Sequence, residues 1–541
     1  MESIEVVLAM LLAVVASGWL GRMLPFAVPL PLIQILLGAI IEGVFMHGVT
    51  LDPDIFFLLF LPPLLFLDGW RIPKVGLFRD KGTILELALG LVVFTVLGAG
   101  FLLDWLIPEM PLAVAFALAA IVAPTDPVAV SAITSRIPVP PRLMHIIEGE
   151  SLLNDASGLV CFRFAVAAAM TGHFSLTKAG TTFLWVALAG IAAGVVVTWA
   201  IARAHAILLS RFGEDDGMPI LINLLTPFGA YLAAEHLGAS GILAAVAAGI
   251  TMSYVELGGS ATPTTRIRRN VVWDTLQFAL NGVMFVLLGE QLPDAARAAL
   301  HPSGPTPYGG WWLAGVALAF SLALVLLRFV WVWISLQLTL LNRRRLGQQV
   351  YEPRMRVILA TSFAGVRGAL TMAGVLTLPL ALPSGAPFPA RDLAIFLAGA
   401  VIVVSLVLAS IMLPPLLRDL ELPEAPHVDD EEDRARHAAT VAAVAAIENE
   451  AKQYGSDAKG MLHADAASHV LGLYRHRLRE TQPGDGRPDA HAAEQTERIY
   501  RLLGLRTERD TILRLARRNE ISDEVARHLV REIDLVEARY R

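Results

Sequence analysis

Polar side chains of a kind that can carry ions interrupt two apolar stretches of this chain. Asp126 lies in IVAPTDPVAV, between Thr125 and Pro127. About one bilayer span later, Glu150, Ser151, Asn154 and Asp155 follow in HIIEGESLLNDASGLV. A charge at bilayer depth costs roughly 2.5–3.5 kcal/mol on insertion scales, so three carboxylates there require partners, protons or bound cations. On a helical wheel, Glu150, Asn154, Gly158, Ser151 and Asp155 fall within an arc of about 140°. Such a stripe faces a protein interior or a water-filled cavity, not lipid. Ser151 and Asp155 form an i, i+4 pair of oxygen ligands. With Asp126 and a carbonyl freed near Thr125 they predict an oxygen cage for a small, hard monovalent cation. The calcium-loop pattern is absent. Burial raises a carboxylate's proton affinity and a nearby cation lowers it. Asp155 is therefore expected to hold either a proton or a cation, and that competition is the chemistry of an exchange.

Two arginines, Arg328 in LVLLRFVWVW and Arg367 in AGVRGAL, are read as lying within the membrane region. Arginine keeps its charge, so each needs a counter-charge. Glu150 is the natural partner of Arg328, in a pair that would not titrate. Arg367 would either neutralise helix C-terminal ends or face a cytoplasmic funnel.

The elements that must position these groups are membrane spans. Of 541 residues, 55% are hydrophobic and 17% charged, where a soluble protein would carry about 25% charged. Residues 1–421 are poor in charge and 422–541 are rich in it, which predicts an all-α polytopic membrane domain followed by a helical tail. Thirteen spans are expected, near 3–21, 26–45, 54–69, 83–107, 111–134, 143–170, 180–209, 217–236, 239–257, 271–292, 311–341, 355–380 and 392–419. The first residues, MESIEV, lack the basic region of a signal peptide, so they are read as an uncleaved first span.

Basic residues set the orientation. With the tail inside, the inner loops and span ends hold Arg22, Arg71, Lys74, Arg79, Lys81, Arg136, Arg142, Arg203, Arg211, Arg266, Arg268, Arg269, Arg343, Arg344, Arg345, Arg354 and Arg356. The outer ones hold Lys178, Arg297 and Arg391. This bias places the N-terminus outside and the tail in the cytoplasm.

Spans five and twelve are broken, at Pro124-Thr-Asp-Pro127 and Gly365-Val-Arg-Gly368. They lie seven spans apart and so run oppositely, as inverted repeats would. Matched broken spans point to a transporter's site at the bilayer midplane. Span three contains Leu61-Pro-Pro63 and ends in Asp68-Gly-Trp70; Asp68 either lines the inner mouth or marks the interface where aromatic residues gather.

In the tail, helices are expected from the acidic residues at 429–432 to Tyr454, over 459–479, and in two or three pieces over 490–541, with a linker at 482–488. No nucleotide loop, zinc pattern or nucleic-acid motif is present, and a partner for the tail is not legible. The single cysteine, Cys161, excludes an internal disulfide and a multi-cysteine zinc site. His145 and His236 lie near span ends, where packing is their expected use, so no enzyme chemistry is read.

The stretches LPPLLF (61–66), APTDPVAV (123–130), EGESLLNDASG (148–158), AYLAAEHLGASGILAAVAAGI (230–250) and FAGVRGAL (363–370) together make the chain resemble the monovalent cation:proton antiporter-1 family of bacterial sodium/proton antiporters and animal exchangers. The resemblance covers about 420 residues and omits the tail. It implies a thirteen-span fold in which the broken helices cross, a homodimer, and an elevator-like movement of one domain against another. It implies that Asp126, Ser151 and Asp155 bind Na⁺ with the Thr125 backbone. Asn154 would hold the crossing helices and Glu150 would pair with Arg328. No cofactor is implied; the transported species are H⁺ and Na⁺ or Li⁺, with K⁺ the rival, in the inner membrane of a bacterium and for pH and sodium homeostasis. Electrogenic members of the sister family carry a second aspartate where Asn154 stands and a titratable lysine, so electroneutral one-for-one exchange is expected. One departure concerns Asp68. The acid of the family directly follows LPPLLF, where this chain has Leu67. One residue turns a helix by about 100°, which weighs against an ion-site role for Asp68. A cation channel or membrane sensor is the rival from another class; the paired broken helices argue against a channel.

Overall fold

The computed structural model describes residues 2–23, 28–45, 53–72, 81–134, 141–172, 176–212, 217–257, 263–300, 309–345, 355–418, 428–452, 466–472, 474–475, 488–518 and 523–537. Lys74, Arg79, Arg136, Arg354 and Tyr454, together with the 482–487 stretch of the tail linker and most of 459–479, lie outside these residues. The chain is helical and divides into two compact units, Met1–Leu422 and Pro423–Arg541.

In the first unit α1 is Glu2–Met23, α2 Leu30–Phe45 and α3 Pro53–Arg71. The fourth helix, α4, runs through Lys81–Leu85, a π-helical turn at Glu86–Leu91, and Val92–Leu106. Then come α5 Leu112–Val122, α6 Pro127–Thr134, α7 Pro141–Thr171, α8 Leu176–Phe212, α9 Met218–His236, α10 Gly241–Leu257, α11 Pro263–Leu300, α12 Gly310–Arg345, α13 Met355–Phe363, α14 Ala369–Leu376 and α15 Arg391–Leu417. Among the described residues, seven helices are long and apolar enough to cross a membrane, and four more are shorter apolar helices. The expected bounds of α8 and α11 fall short of those observed, because hydropathy marks the apolar middle of a helix and not its polar ends.

The two expected breaks separate α5 from α6 and α13 from α14. Prolines at 124 and 127 have no N–H to donate and cannot continue the first helix. In the second break, Gly368 is extended (φ −109°, ψ −171°). Across α3, by contrast, Pro62 and Pro63 are absorbed within the helix.

Two bundles are discernible in the packing. One joins α1, α2, α3, α8, α9, α10 and α11; the other joins α4, α5, α6, α7, α12, α13, α14 and α15. They meet where α3 and α11 lie against α7, α14 and α15. In lipid there is no hydrophobic drive between helices, so close packing of small residues has to serve. Parallel α2 and α11 touch backbone to backbone at Gly289, where an added Cβ would sit 2.7 Å from the carbonyl carbon of Ile35. The second unit holds α16 (Val428–Ala451), α17 (Pro488–Arg517) and α18 (Asp523–Glu537). There Arg509 of α17 pairs with Asp534 (2.7 Å) and Glu537 of α18.

Gly289→Val is expected to destabilise the membrane unit by about 1–3 kcal/mol through overpacking. Gly315→Val, where an added Cβ meets nothing within 4 Å, should leave stability within about 0.5 kcal/mol of wild type. Thermal unfolding of the detergent-solubilised protein distinguishes the two.

Candidate functional site

The site is built on the two breaks, which cross and bond through their backbones. The Asp126 N–H donates to Val366 O at 2.7 Å. Arg367 N–H donates to Ser405 Oγ of α15 at 3.1 Å. Of the two positions open to the Arg367 side chain, the helix-end one is occupied. Its Nε donates to Val122 O, the last residue of α5, at 2.9 Å, and its Nη1 donates to Gly365 O. The guanidinium thus meets the negative end of one half-helix and a carbonyl freed by the other break. Gly368 lets the breaks approach this closely: a Cβ there would lie 2.5 Å from Asp126 Cγ.

α7 fastens onto the first break from the side. Ser151 Oγ donates to Thr125 O at 2.7 Å, and Asn154 Nδ2 donates to Thr125 Oγ1 at 3.0 Å. The Thr125 hydroxyl in turn donates to Glu150 Oε1 at 3.4 Å. A carbonyl has two lone pairs, so Thr125 O can accept from Ser151 and still offer one to a cation. Behind these, Arg328 of α12 forms a two-pronged pair with Glu150. Nη2 donates to Oε2 at 2.7 Å, Nη1 donates to Oε1, and Nε donates to Thr361 O of α13 at 2.9 Å. Side-chain exposure is 0% for Glu150 and 2% for Arg328. One fork-shaped cation therefore binds α7, α12 and α13 together.

In front of the crossing lies a cavity lined by Thr125, Asp126, Ser151 and Asp155 from one bundle, and by Asp68, Gln277 and Asn281 from the other. It sits at the seam between them. The charged side chains on its wall are the three carboxylates. Asn154, Glu150, Arg328 and Arg367 stand behind this wall and are not part of it. Among the described residues, no group of three His, Cys, Asp or Glu side chains is gathered closely enough for a metal centre.

Sequence reasoning leaves Asp68 between the inner mouth and the interface and weighs against an ion-site role, and the structure places it on the cavity wall. Leu67 is fully buried, in the same apolar cluster as Ala244 and Trp273 of α10 and α11, and the next residue faces the cavity. The 100° argument fixes the angle between Leu67 and Asp68, but not which of the two faces the cavity. Gln277 and Asn281 escape the sequence reasoning. Their signal is available: Asp274, Gln277 and Asn281 recur at i, i+3, i+7 in the largely apolar stretch 271–289 of α11. At the mouth of the cavity, Arg71 donates to Gln277 Oε1 (2.9 Å) and pairs with Asp274 (2.5 Å). A third arginine within an expected span, Arg163 of α7, also goes unread in the sequence; it pairs with Glu235 of α9 at 3.5 Å.

Comparisons with known proteins agree in direction. Residues 7–419 match the family described as "Sodium/hydrogen exchanger, transmembrane". An Escherichia coli (strain K12) protein, the uncharacterized Na⁺/H⁺ exchanger YjcE, is 41% identical over 549 residues, covering 99% of each chain. A Bacillus subtilis (strain 168) protein named sodium, potassium, lithium and rubidium/H⁺ antiporter is 38% identical, covering 100% of this chain and 78% of its own. The solved structure of the sodium proton antiporter MjNhaP1 from Methanocaldococcus jannaschii at pH 8 has the same fold. It superposes with a TM-score of 0.57 at 20% identity, over 78% of this chain and 99% of that one.

The buried pair sets a stability prediction. Arg328→Met takes away the counter-charge of Glu150, leaving it only the Thr125 hydroxyl, and is expected to cost about 3–5 kcal/mol. Arg328→Met with Glu150→Leu removes both charges and should recover most of that loss. Thermal unfolding of the single and double variants in detergent measures the difference.

Proposed function

The chain belongs to the sodium/hydrogen exchanger family, and from that premise we propose that it is a secondary active antiporter exchanging Na⁺ or Li⁺ for H⁺. The observation that carries this is a cavity at a seam between two helix bundles whose charged groups are all carboxylates. The cation is bound by Asp126 and Asp155 with the Ser151 hydroxyl and the Thr125 carbonyl. Asp68 supplies a further carboxylate from the opposite wall. Protons and cations compete for the same oxygens, because burial favours the protonated carboxyl and a bound cation favours the ionised one. An empty, unprotonated site is costly to carry across. Each passage therefore takes a cation one way or protons the other, and a proton flow inward drives cation export. An elevator-like movement of one bundle against the other, carrying the site with it, provides access to each side in turn.

The remaining parts of the reading follow the sequence. Thirteen crossings place the N-terminus outside and the tail, 422–541, in the cytoplasm of a bacterial inner membrane; residues 1–421 form the transport domain. The protein works as a homodimer in pH and sodium homeostasis. Asn154 holds the crossing and carries no proton, and Glu150 is tied to Arg328, so one cation exchanges for one proton. A second reading, exchange of K⁺ for H⁺, is favoured by the Bacillus subtilis relative, whose name includes potassium and rubidium.

In everted vesicles lacking other antiporters, added Na⁺ or Li⁺ should dissipate an imposed proton gradient, and Asp155→Asn should reduce that activity by at least about a hundredfold, the scale on which loss of an essential proton-carrying group acts. A response to K⁺ alone would keep the site and change the ion; an Asp155→Asn variant as active as wild type would remove Asp155 from the mechanism. On a solid-supported membrane, cation jumps should evoke no steady charge displacement, and a sustained transport current would rule out one-for-one exchange.

A further inference from the structure

Three ion pairs of the membrane unit differ in where they lie and in strength. The Glu150–Arg328 pair lies inside one bundle, is buried and cannot separate without stranding a charge. The Arg71–Asp274 pair joins α3 to α11 inside the other. The Arg163–Glu235 pair is different, because α7 belongs to one bundle and α9 to the other. It crosses the seam.

Its surroundings are those of a contact that can open. Arg163 is 59% exposed, and Glu235 34%. Glu235 also accepts from the Gly241 N–H, at 3.3 Å, at the start of α10. That N–H is one of the unpaired donors of a helix N-terminus, so Glu235 keeps a partner and a favourable dipole when the arginine leaves. Arg163 in turn loses no burial. Arg163 lies eight residues before the outer end of α7 at Thr171, so its long side chain can turn toward the outer interface when the pair parts, whereas separation of the buried Glu150–Arg328 pair would strand both charges. Position matters equally. Arg163 is eight residues beyond Asp155 on the same helix, about 12 Å along its axis, on the side away from Arg142. The contact therefore lies on the outer side of the carboxylate cavity, in the orientation proposed above.

We propose that Arg163 and Glu235 form a releasable latch that closes the seam on the outer side of the cavity and must open once in every transport cycle. The proposal rests on the exchange reading and adds the contact that sets the balance between its two arrangements. The latch acts by positioning: neither residue touches the transported ion. An exposed pair of this kind biases an equilibrium by about twofold to fivefold, so it tunes the balance without locking it.

The test uses the full chain with Cys161→Ser, carrying Arg163→Cys and Glu235→Cys, in everted vesicles. A bis-methanethiosulfonate reagent long enough to span the two positions ties the bundles together, and a reductant frees them. Na⁺-dependent proton flux is expected to fall at least about tenfold on cross-linking and to return on reduction, while single-cysteine variants stay active throughout. Cross-linked protein that exchanges at the untreated rate overturns the latch. Charge reversal is a second measurement that needs no cysteines. Arg163→Glu or Glu235→Arg alone should shift the half-saturating Na⁺ concentration by about twofold to fivefold, in opposite directions for right-side-out and everted vesicles. The double reversal should restore both. Singles that leave both values unmoved, or a double no better than the singles, overturn it. Failure of the exchange reading appears elsewhere, as absent Na⁺- and K⁺-dependent flux in the unmodified wild type.

Discussion

Backbone N–H and carbonyl groups released by a broken helix at bilayer depth have no water to turn to, and the protein has to satisfy each from within. Two breaks laid across one another double the demand and also supply part of the answer. Asp126 N–H meets Val366 O, so one break satisfies the other. Arg367 answers Val122 O and Gly365 O, and Ser151 answers Thr125 O. The crossing is thus a hydrogen-bonded knot held by residues from three segments. Neither half could keep its geometry without the other, which explains why a proline-rich turn and a glycine-rich turn, far apart in sequence, have to come together.

Around the knot, charge is divided into a fixed part and a variable part. Glu150 and Arg328 cancel one another behind the wall and tie three helices, with both side chains shut away from solvent. In front of the wall, Asp126, Asp155 and Asp68 face a cavity. Helix geometry produces the division. Glu150 and Asp155 are five residues apart on α7, so their side chains leave the helix about 140° apart. One turns to α12 and the other to the seam. A residue at 154 lies between those directions, and an amide suits it. It donates to Thr125 Oγ1 and adds no charge to either side.

The sequence is most legible where a physical cost is most visible. Carboxylates and an arginine in apolar runs are expensive, and that expense alone singles out Asp126, Glu150, Asp155 and Arg328. Prolines 124 and 127 and glycines 365 and 368 mark the breaks for the same reason. What stays hidden is azimuth. Whether Leu67 or Asp68 faces the site depends on how α3 rolls against α10, a matter of small residues packing that no single helix encodes. Gln277 and Asn281 are easily passed over because amides at depth cost less than charges and stand out less. Arg163 lies in a span and still escapes notice, because the polar residues before it on α7 already account for the helix.

The placement of the cavity at the seam has a consequence for coupling. Thr125, Asp126, Ser151 and Asp155 belong to one bundle; Asp68, Gln277 and Asn281 belong to the other. Any movement of one bundle past the other leaves the first set of ligands whole and changes the wall opposite. On the exchange reading, an ion held by the first set keeps its ligands through the passage, while the opposite wall decides when the cavity is closed over it. Selectivity and access then rest on different residues. The first set fixes which ions bind by the spacing of its oxygens, and the second fixes how freely a bound ion moves. A change in ion preference between relatives therefore does not require a change in the aspartates. Small shifts of the break between α5 and α6 against α7 suffice, because carbonyl, hydroxyl and carboxylate oxygens distinguish hard cations by cavity size and ligand number and not by ligand type.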